Sequence, residues 1–377
     1  MKVKLGDIFE IGSGGTPVKS HPEYYNGDIP WVKTGDLKSE YLFEVEDFIT
    51  EKGLENSSAK MYEKDTVLIA MYGATIGATS ILKMSACTNQ ACAAFKKNEK
   101  VIPEYLYYFL KSKKEKFVKD GVGGAQPNIS VGYLKKTEME LLLLKEQRKI
   151  VDILDRISEM VLKRNQEIQL LDDLIKARFV EMFGDPTTNP KGYPIKVLSE
   201  IAEYWNGLTY KPEDVSDEGI IVLRSSNIQN ATLDFADIVR VSCKIGDKKY
   251  VQDNDILMCS RNGSARLVGK VALIKEVEEP MSFGAFMMII RSAYYSYLMT
   301  YFQMPAFRMQ IATGATTTIN QITGRMLDAV KLPVPDADTI NQFADFVKQV
   351  DKSKVAVQKA LDETQMLFDS LMQKYFA

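Results

Sequence analysis

Apolar residues recur at seven-residue intervals in two long stretches of the chain. Each stretch has two such rows, and the four rows begin at Ile150, Leu154, Phe343 and Val347. Rows of this spacing, offset by three or four residues, are typical of helices in a coiled coil. Gly184 and Pro186 end the first stretch. We therefore predict two long helices at residues 146–184 and 338–377, packed as an antiparallel coiled coil. The alternative is that each helix packs alone on its own globular unit.

The segments that precede the two stretches have a different pattern. They contain short runs of β-branched and aromatic residues separated by Gly, Asn and Asp, such as TVLIAMYG from Thr66 and KVALI from Lys270. Such runs are typical of short strands joined by turns. Two further runs, from Pro103 and from Tyr294, have helical periodicity. Each segment is therefore predicted to be a mixed α+β unit.

The chain also contains an internal repeat with a period of about 190 residues. The sequence pairs Leu5 with Leu198, Ile8 with Ile201, Asp65 with Asp255, Gly73 with Gly263, and Ile129 with Ile319. Order and spacing are kept while the loops between the paired positions differ. A protein that reads a split target needs two such frameworks, whereas an enzyme with one active site does not. A gene duplication with purely structural meaning is the alternative.

These patterns predict an α+β protein with an internal pseudo-twofold repeat. Two globular units of mixed α/β type, at residues 1–145 and 185–337, are separated by the two long antiparallel coiled-coil helices. The length of 377 residues suits several domains, because single hydrophobic cores stop growing at about 250–300 residues. An apolar content of 45% and a charged content of 26% are those of a globular protein.

The charge distribution indicates a nucleic-acid partner more clearly than the net charge does. The formal net charge is -2, although phosphate binding depends on clustered Lys and Arg. Residues 96–119 contain eight lysines against three glutamates, interleaved with five aromatic residues. This basic patch favours nucleic-acid binding. The alternative is a solvated helix face with a buried aromatic stripe.

The sequence has no signature of catalysis, of a cofactor or of a metal. The run EIGSGG from Glu10 is similar to a Gly-rich turn that binds S-adenosylmethionine, but Pro17 and Pro22 interrupt the helix that should follow it. No phosphate-binding loop with its lysine occurs. His21 is the one histidine, which leaves a Ser/His dyad or a zinc site without its usual residues. We predict no catalytic residue, no cofactor and no metal.

Targeting signals are equally scarce. The longest apolar runs are far shorter than the roughly 20 residues of a membrane span. The N-terminal residues lack the apolar core of a signal peptide. The four cysteines have no C-x-x-C spacing and suit a reducing compartment. We expect a cytoplasmic protein with no membrane partner.

Several runs in this order resemble one protein family. They are GDIPWVKTGDL from Gly27, the Gly-rich turn at Gly121, LLLLKEQRKI from Leu141 and FVEMFGDP from Phe179. Together with the repeat, they resemble the specificity subunits of type I restriction-modification systems. The resemblance covers essentially the whole chain. The second half departs from it, because the residues from Asp338 keep Gln342 but lose the basic residues of KEQRKIV.

The resemblance implies a function and a set of partners. Each globular unit would be a target-recognition domain that reads one half-site of a bipartite duplex DNA target, and the helices would set the gap between the half-sites. Two modification subunits (adenine methyltransferases) and usually two restriction subunits (endonuclease and translocase) would assemble around it. The chain itself would be non-catalytic, and chemistry would belong to the partners.

Candidate DNA-binding residues lie beside the ends of matching predicted strands. Arg reads guanine and Asn or Gln reads adenine at base edges, so these residue types were sought there. In the first unit the candidates are Lys19, Lys33, Thr34, Tyr72, Gln126 and Asn128. In the second they are Arg224, Ser225, Asn227, Arg261, Asn262 and Arg266. A solvated surface role is the alternative for each one.

Two other functions stay open at the level of sequence. One is a self-contained methyltransferase, which activity with S-adenosylmethionine in the isolated chain would reveal. The other is a coiled-coil adaptor that binds only proteins, which salt-dependent binding of duplex DNA would exclude.

Overall fold

A computed structural model describes residues 1–122, 128–312 and 320–376. The chain forms two compact units, one of residues 1–165 and 359–377 and the other of residues 166–358. Each of two long helices contributes one part to each unit.

The first unit is built from short strands and short helices. Its strands are β1 (Lys2–Lys4), β2 (Ile11–Ser13), β3 (Tyr25–Val32), β4 (Tyr41–Leu42), β5 (Phe48–Ile49), β6 (Met61–Tyr62), β7 (Val67–Ala70), β8 (Thr79–Leu82), β9 (Ala86–Thr88), β10 (Cys92–Phe95) and β11 (Glu138–Glu140). Its helices are α1 (Leu5–Ile8), α2 (Glu51–Glu55), α3 (Pro103–Ser112), α4 (Lys114–Asp120), α5 (Val131–Lys136) and the first part of α6 (Leu144–Phe183).

The strands of the first unit form three sheets among the described residues. The strand orders are β2-β10-β7-β8-β4, β5-β3-β9-β6 and β1-β11. In the first sheet, β7 and β10 are buried along their whole length, which explains why their sequences VLIA and CAAF lack the alternation of a half-exposed strand. In the second sheet, β3 and β9 run parallel, with Trp31 opposite Cys87.

The second unit has the same kinds of element. Its strands are β12 (Ile195–Val197), β13 (Glu203–Asn206), β14 (Val215–Ser216), β15 (Ile220–Leu223), β16 (Ile228–Gln229), β17 (Thr232–Leu233), β18 (Arg240–Val241), β19 (Ile256–Cys259), β20 (Val271–Leu273), β21 (Met281–Phe283), β22 (Met287–Arg291) and β23 (Lys331–Pro333). Its helices are α7 (Tyr295–Tyr301), α8 (Pro305–Ala312), α9 (Gly324–Asp328) and the first part of α10 (Ala337–Phe376).

The topology of the second unit repeats that of the first. The order β13-β22-β19-β20 corresponds to β2-β10-β7-β8, and β12-β23 corresponds to β1-β11. The parallel pair β15 and β21 corresponds to β3 and β9. The predicted mixed α/β fold with an internal repeat is therefore confirmed.

Around β7 and β19, the structure aligns the two halves of the repeat differently from the pairing that the sequence suggested. Asp65 corresponds to Asn254 and not to Asp255, because both have a positive φ, 69° and 70°, just before the buried strand. Both residues also donate a backbone N–H to a carbonyl at the end of the next strand of the sheet. Asp65 donates to Leu82 in β8, and Asn254 donates to Ile274 just after β20, each at 2.8 Å. This shift by one residue makes Tyr72 the counterpart of Arg261.

A second shift separates Ile129 from its suggested partner. Ser130 caps α5 and Thr323 caps α9, each by accepting a hydrogen bond from a backbone N–H three residues later. Ile129 and Ile322 precede these caps, and both are buried. Ile322 is therefore the counterpart of Ile129, while Ile319 lies outside the described residues.

The predicted heptad rows face inward on both long helices. Every position of the four rows, from Ile150 to Tyr375, is buried or half-buried. In the second unit, Asp172 pairs with Lys354 and, further along α6, Phe179 packs on Phe343, so the two helices run antiparallel there. In the first unit the polar row member Arg164 donates to the carbonyl of Ala360.

Aromatic residues at the end of α6 form part of the core of the second unit. Phe179 and Phe183 are buried, and their ring centroids both lie 5.0 Å from that of Tyr297 in α7. Phe343, near the start of α10, lies 5.2 Å from Phe183. A buried aromatic ring of this kind stabilises a core by several kcal/mol relative to alanine, about 3–5.

The end of α10 has the same role in the first unit. Phe368, Met372 and Phe376 are buried in its core. The ring of Phe376 lies 5.3 Å from Tyr105 and 6.2 Å from Phe109, both in α3. Each unit therefore contains the start of one long helix and the end of the other.

Gln147 is a fully buried polar residue at the start of α6, with 0% of its surface exposed. Its side-chain oxygen accepts a hydrogen bond from the backbone N–H of Ile102 at 2.9 Å. Its NH₂ group donates to the carbonyls of Lys100 at 2.8 Å and Leu142 at 2.9 Å. The glutamine of the KEQ run thus joins the helix to the loop before α3.

Gln342 does not have this role in α10. Gln147 is the fourth residue of α6, and the fourth residue of α10 is Ile340, which is buried among apolar side chains. Gln342 is exposed. The second half therefore replaces the buried amide by apolar packing.

We predict that Gln147→Ala lowers the unfolding free energy of the first unit by about 2–4 kcal/mol, because it leaves buried backbone groups without partners. The two tryptophans allow the units to be followed separately, since Trp31 lies in the first and Trp205 in the second. Urea unfolding followed by Trp31 fluorescence, in a Trp205→Phe background, measures the effect.

Gln342→Ala is the matched control for this measurement. An exposed helical side chain should change stability by less than about 0.5 kcal/mol. Equal effects of the two substitutions would contradict the role given to Gln147.

Candidate nucleic-acid interface

In the first unit, two strands end on either side of one tight turn. The carbonyl of Val32, the last residue of β3, accepts a hydrogen bond from Asn89 N–H at 2.9 Å. Met71, which follows β7, donates its N–H to the carbonyl of Ala91 at 2.8 Å. The candidates Lys33 and Tyr72, which come next along the chain, are therefore placed on the two sides of the turn at residues 89–91.

The second unit has the same arrangement with other side chains. The carbonyl of Leu223, at the end of β15, accepts from Gly284 N–H at 2.9 Å. Ser260, which follows β19, donates its N–H to the carbonyl of Phe286 at 2.9 Å. Arg224 and Arg261 are thus placed beside the turn at residues 284–286. A hydrogen bond of 3.2 Å from Asn262 to Ser225 joins the loops that follow the two strands.

A third segment approaches these strand ends in both units. In the first, Tyr72 forms an isolated β-bridge with Asn128. In the second, Arg261 forms one with Gln321. The structure thus brings Tyr72 and Asn128 together, and both side chains are exposed. Gln126 lies outside the described residues.

Asn227 supports the loop after β15. Its side chain is 1% exposed, and its oxygen accepts from the N–H of Arg224 at 2.8 Å. Its NH₂ group donates to the carbonyls of Asp234 and Asp237 at 2.8 and 2.9 Å. Since the hydrogen-bonding groups of this amide are used within the loop, the geometry gives Asn227 a positioning role.

Asp36 has the matching place in the first unit. Its carboxylate accepts from the N–H of Lys33 at 2.7 Å, closing a short 3₁₀ turn that contains the half-buried Thr34. The loops after β3 and β15 therefore have the same backbone support, although one uses a carboxylate and the other an amide.

The basic side chains at the strand ends differ in how they are held. Lys33 pairs with Asp47 at 2.6 Å, and Arg224 pairs with Asp237 at 2.7 Å. Arg261 is exposed, and its guanidinium lies 5.2 Å from the ring of Phe286. To bind a phosphate or a base, the paired cations would first have to leave their carboxylates, whereas Arg261 is oriented by the ring of Phe286.

The remaining candidates lie in surface loops. Lys19 is exposed in a turn that precedes β3, and Arg266 is exposed in a turn that precedes β20. No contact in the described chain brings either of them to the strand ends.

Gln90 was not identified from the sequence, although it lies in the turn at residues 89–91. Its side chain is exposed, and its oxygen accepts a hydrogen bond from the hydroxyl of Thr16. Phe286, in the matching turn of the second unit, is 57% exposed. The signal that could have located both is a short break between two fully buried strands.

The Gly-rich run from Glu10 has a packing explanation. A Cβ atom at Gly14 would lie 1.8 Å from the carbonyl oxygen of Thr88 in β9. At the equivalent Gly207, a Cβ atom would lie 2.1 Å from the carbonyl oxygen of Phe283 in β21. Both glycines thus allow a close approach of two backbone segments, in each unit alike.

The aromatic residues of the predicted basic patch form core. Tyr105, Tyr107, Tyr108, Phe109 and Phe117 are all buried. They cannot serve as an exposed stacking surface for bases, so the alternative of a buried aromatic stripe is correct for this segment.

Metal-binding and membrane-spanning features were also sought in the described residues. Within residues 1–122, 128–312 and 320–376, no group of three or more His, Cys, Asp and Glu is arranged to hold a metal. In the same ranges no helix is long and apolar enough to cross a membrane. Burial raises the pKa of Cys87 and Cys92 to about 12, which keeps these thiols protonated at neutral pH.

Comparison with known proteins gives a consistent family match. The sequence model of the type I restriction modification DNA specificity domain matches residues 1–171 and 190–364. The MjaIX specificity subunit of Methanocaldococcus jannaschii is 31% identical over 224 residues, 54% of this chain and 52% of the relative. The EcoR124I/EcoR124II specificity subunit of Escherichia coli is 27% identical over 41% of this chain and 40% of its own length. The matched region thus spans about half of the first relative and two fifths of the second.

Other matches extend over nearly the whole chain. The MjaVIII specificity subunit of M. jannaschii is 22% identical over 95% of this chain and 89% of the relative. The crystal structure of the S subunit from M. genitalium superposes with a TM-score of 0.55 at 15% identity, covering 100% of this chain and 96% of that one. A chain from a study of complex assembly in the type I R-M system gives 0.58 at 17% identity, covering 100% and 97%. These two structures share the fold.

We predict that Asn227→Ala lowers the unfolding free energy of the second unit by about 2–4 kcal/mol, because one backbone N–H and two carbonyls lose their partner. Trp205 fluorescence during urea unfolding, in a Trp31→Phe background, measures it. The neighbouring Ser226→Ala is the control and should stay within about 0.5 kcal/mol. If Asn227→Ala were as mild as the control, the amide would not support the loop.

Proposed function

The chain belongs to the family of type I restriction modification DNA specificity domains, and we propose that each of its two units reads one half of a split duplex DNA target. The family match confirms the predicted resemblance to type I specificity subunits, a non-catalytic family.

One observation carries the proposal. Both units have two strand ends beside a tight turn on the same backbone framework, but the side chains there differ. The first unit offers Lys33, Tyr72 and Gln90, and the second offers Arg224 and Arg261. Two frameworks of one shape with different hydrogen-bonding groups suit two half-sites of different sequence.

The proposed DNA contacts follow from exposure and chemistry. Exposed amides suit adenine, while arginine suits guanine or phosphate. In the first unit the proposed contacts are Lys19, Lys33, Thr34, Tyr72, Gln90 and Asn128. In the second they are Arg224, Ser225, Arg261, Asn262 and Arg266. Asn227 is assigned to loop support instead.

The long helices would set the gap between the half-sites. In this proposal the recognition domains span residues 1–145 and 185–337, and the helices at residues 146–184 and 338–377 are the spacer. A helix of 40 residues has a length of about 60 Å, which exceeds one turn of duplex DNA at about 34–36 Å.

Two modification subunits and two restriction subunits are the proposed protein partners, acting in the cytoplasm. The support is the repeat itself, because a framework present twice can offer equivalent docking surfaces twice. The structurally similar chain from the type I R-M system comes from a study of complex assembly.

The modular reading can be tested by exchange of one unit. We predict that replacing residues 185–337 with the corresponding segment of another specificity subunit changes one half-site and leaves the other unchanged. The replacement must accept Phe179, Phe183 and Phe343, which belong to the retained helices. Methylation of a randomised target library by the assembled complex provides the readout. Alteration of both half-sites together would refute the modular proposal, and loss of all DNA binding would favour a protein-only adaptor.

Arg261 gives a test at the level of one residue. If it reads a base edge, Arg261→Ala should relax one position of the second half-site at a cost of about 1–3 kcal/mol. If it contacts phosphate, the loss should be equal for all sequences and the salt dependence should fall. Arg240→Ala is the control, since its guanidinium is held by Glu279 at 2.8 and 3.0 Å. No change with Arg261→Ala would remove this residue from the interface.

A further inference from the structure

The first unit contains a cavity of about 520 Å³ that none of the proposed DNA contacts lines. It lies between the strand pair β1–β11, the helices α3 to α5 and the end of α10. Four lysines line it, namely Lys2, Lys113, Lys116 and Lys136. The half-buried Tyr133 and Tyr375 also line it, whereas the rings of Tyr105, Phe109 and Phe376 border it from within the core.

The lysines leave positive charge in the cavity. Among the described residues, the ion pairs of this unit include none between these four lysines and a carboxylate. Lys113 donates a hydrogen bond to the carbonyl of Phe376. Burial lowers the pKa of Lys113, and the like charges of Lys116 and Lys2 lower it further.

Three carboxylates line the same cavity, and two of them have partners. Asp120 accepts a hydrogen bond from the hydroxyl of Tyr133 at 2.6 Å. Glu140 lies 3.9 Å from the amino group of Met1. With Glu138 as the third, the four ammonium groups still outnumber the carboxylates.

The second unit shows that the fold does not require two of these lysines, Lys2 and Lys136. Counted from the matching strands and caps, Ile195 stands in the place of Lys2 and Ala329 in that of Lys136. There, Gln310 of α8 bridges to β23, donating to the carbonyl of Lys331 at 2.7 Å and accepting from its N–H at 2.8 Å. The repeat thus gives an internal comparison in which a side chain spans from the helix to the strand pair and two of the four lysines are replaced by uncharged residues.

We propose that this cavity binds a phosphorylated small molecule of about mononucleotide size, with the lysine ammonium groups on the phosphate and the half-buried rings of Tyr133 and Tyr375 against its flat or apolar part. Lysine is a common phosphate ligand, and a cavity of this volume falls in the range of small-molecule sites, about 300–1,000 Å³. A concave site of this size suits a compact ligand better than a continuous duplex backbone. The inference does not depend on which bases the strand ends read.

Adenosine diphosphate is the probe for a titration of the full chain by calorimetry at low salt. The test variant is K116Q/K136Q, in which two exposed cavity lysines lose their charge. The control is K119Q/K135Q, which removes the same charge from neighbouring exposed lysines that do not line the cavity. We expect at least about ten-fold weaker binding in the test variant and little change in the control, because charge-assisted hydrogen bonds are lost only in the former.

The pH dependence is a second readout. Since a lysine must be protonated to bind phosphate, affinity should fall as the pH rises through the lowered pKa of Lys113, earlier than for an ordinary lysine. Absence of ADP binding at millimolar concentration, or equal losses in the two double variants, overturns the proposal. Weaker duplex binding in both variants without ADP binding assigns the lysines to general attraction of DNA and also overturns it. None of these outcomes bears on the prediction that replacing residues 185–337 changes one half-site and leaves the other unchanged.

Discussion

The packing of the ends of the two long helices is the constraint on which the rest of the structure depends. Phe179 and Phe183 end α6 inside the core of the second unit, and Phe368 to Phe376 end α10 inside the core of the first. Neither globular unit has a complete apolar core without these side chains. The heptad rows bring the helices together, but the terminal aromatic residues fix where each helix begins and ends relative to its unit.

The architecture could be predicted from the sequence because it depends on periodicity. Apolar rows seven residues apart determine which face of a helix is buried, and all members of the predicted rows are buried or half-buried. The exact equivalence of positions in the two halves could not be predicted in this way. The shifts at Asp65 and Ile129 arise because loops of different length separate the matched elements, and a backbone conformation or a cap, rather than a residue type, marks the equivalent positions. Gln147 was visible as part of a motif, but its buried hydrogen bonds were not.

The loops that carry Lys33, Tyr72, Arg224 and Arg261 could be predicted to follow strand ends, because a loop after a buried strand must emerge at the surface. The roles of individual residues needed coordinates. Asn227 looked like a base-reading amide, yet its partners are the carbonyls of residues seven and ten positions further along. Gln90 lies at the strand ends because β9 pairs with β3 and β10 pairs with β7, and no local sequence pattern specifies these pairings. The five buried aromatic residues of the lysine-rich segment show the same limit, since composition alone does not distinguish a core stripe from a stacking surface.

Each long helix begins in one unit and ends in the core of the other, and this arrangement also affects the order in which the chain can fold during synthesis. The second unit consists of one continuous segment, residues 166–358, so all of its core exists before the last part of α10 is made. The first unit begins with residue 1 but must wait for Phe368, Met372 and Phe376. The first unit therefore cannot complete its core until the last heptads of α10 have been synthesised, which departs from the usual N-to-C order of co-translational folding. A chain truncated before these heptads would leave an unfilled apolar cleft in its first unit, although all residues of its first 165 positions were present.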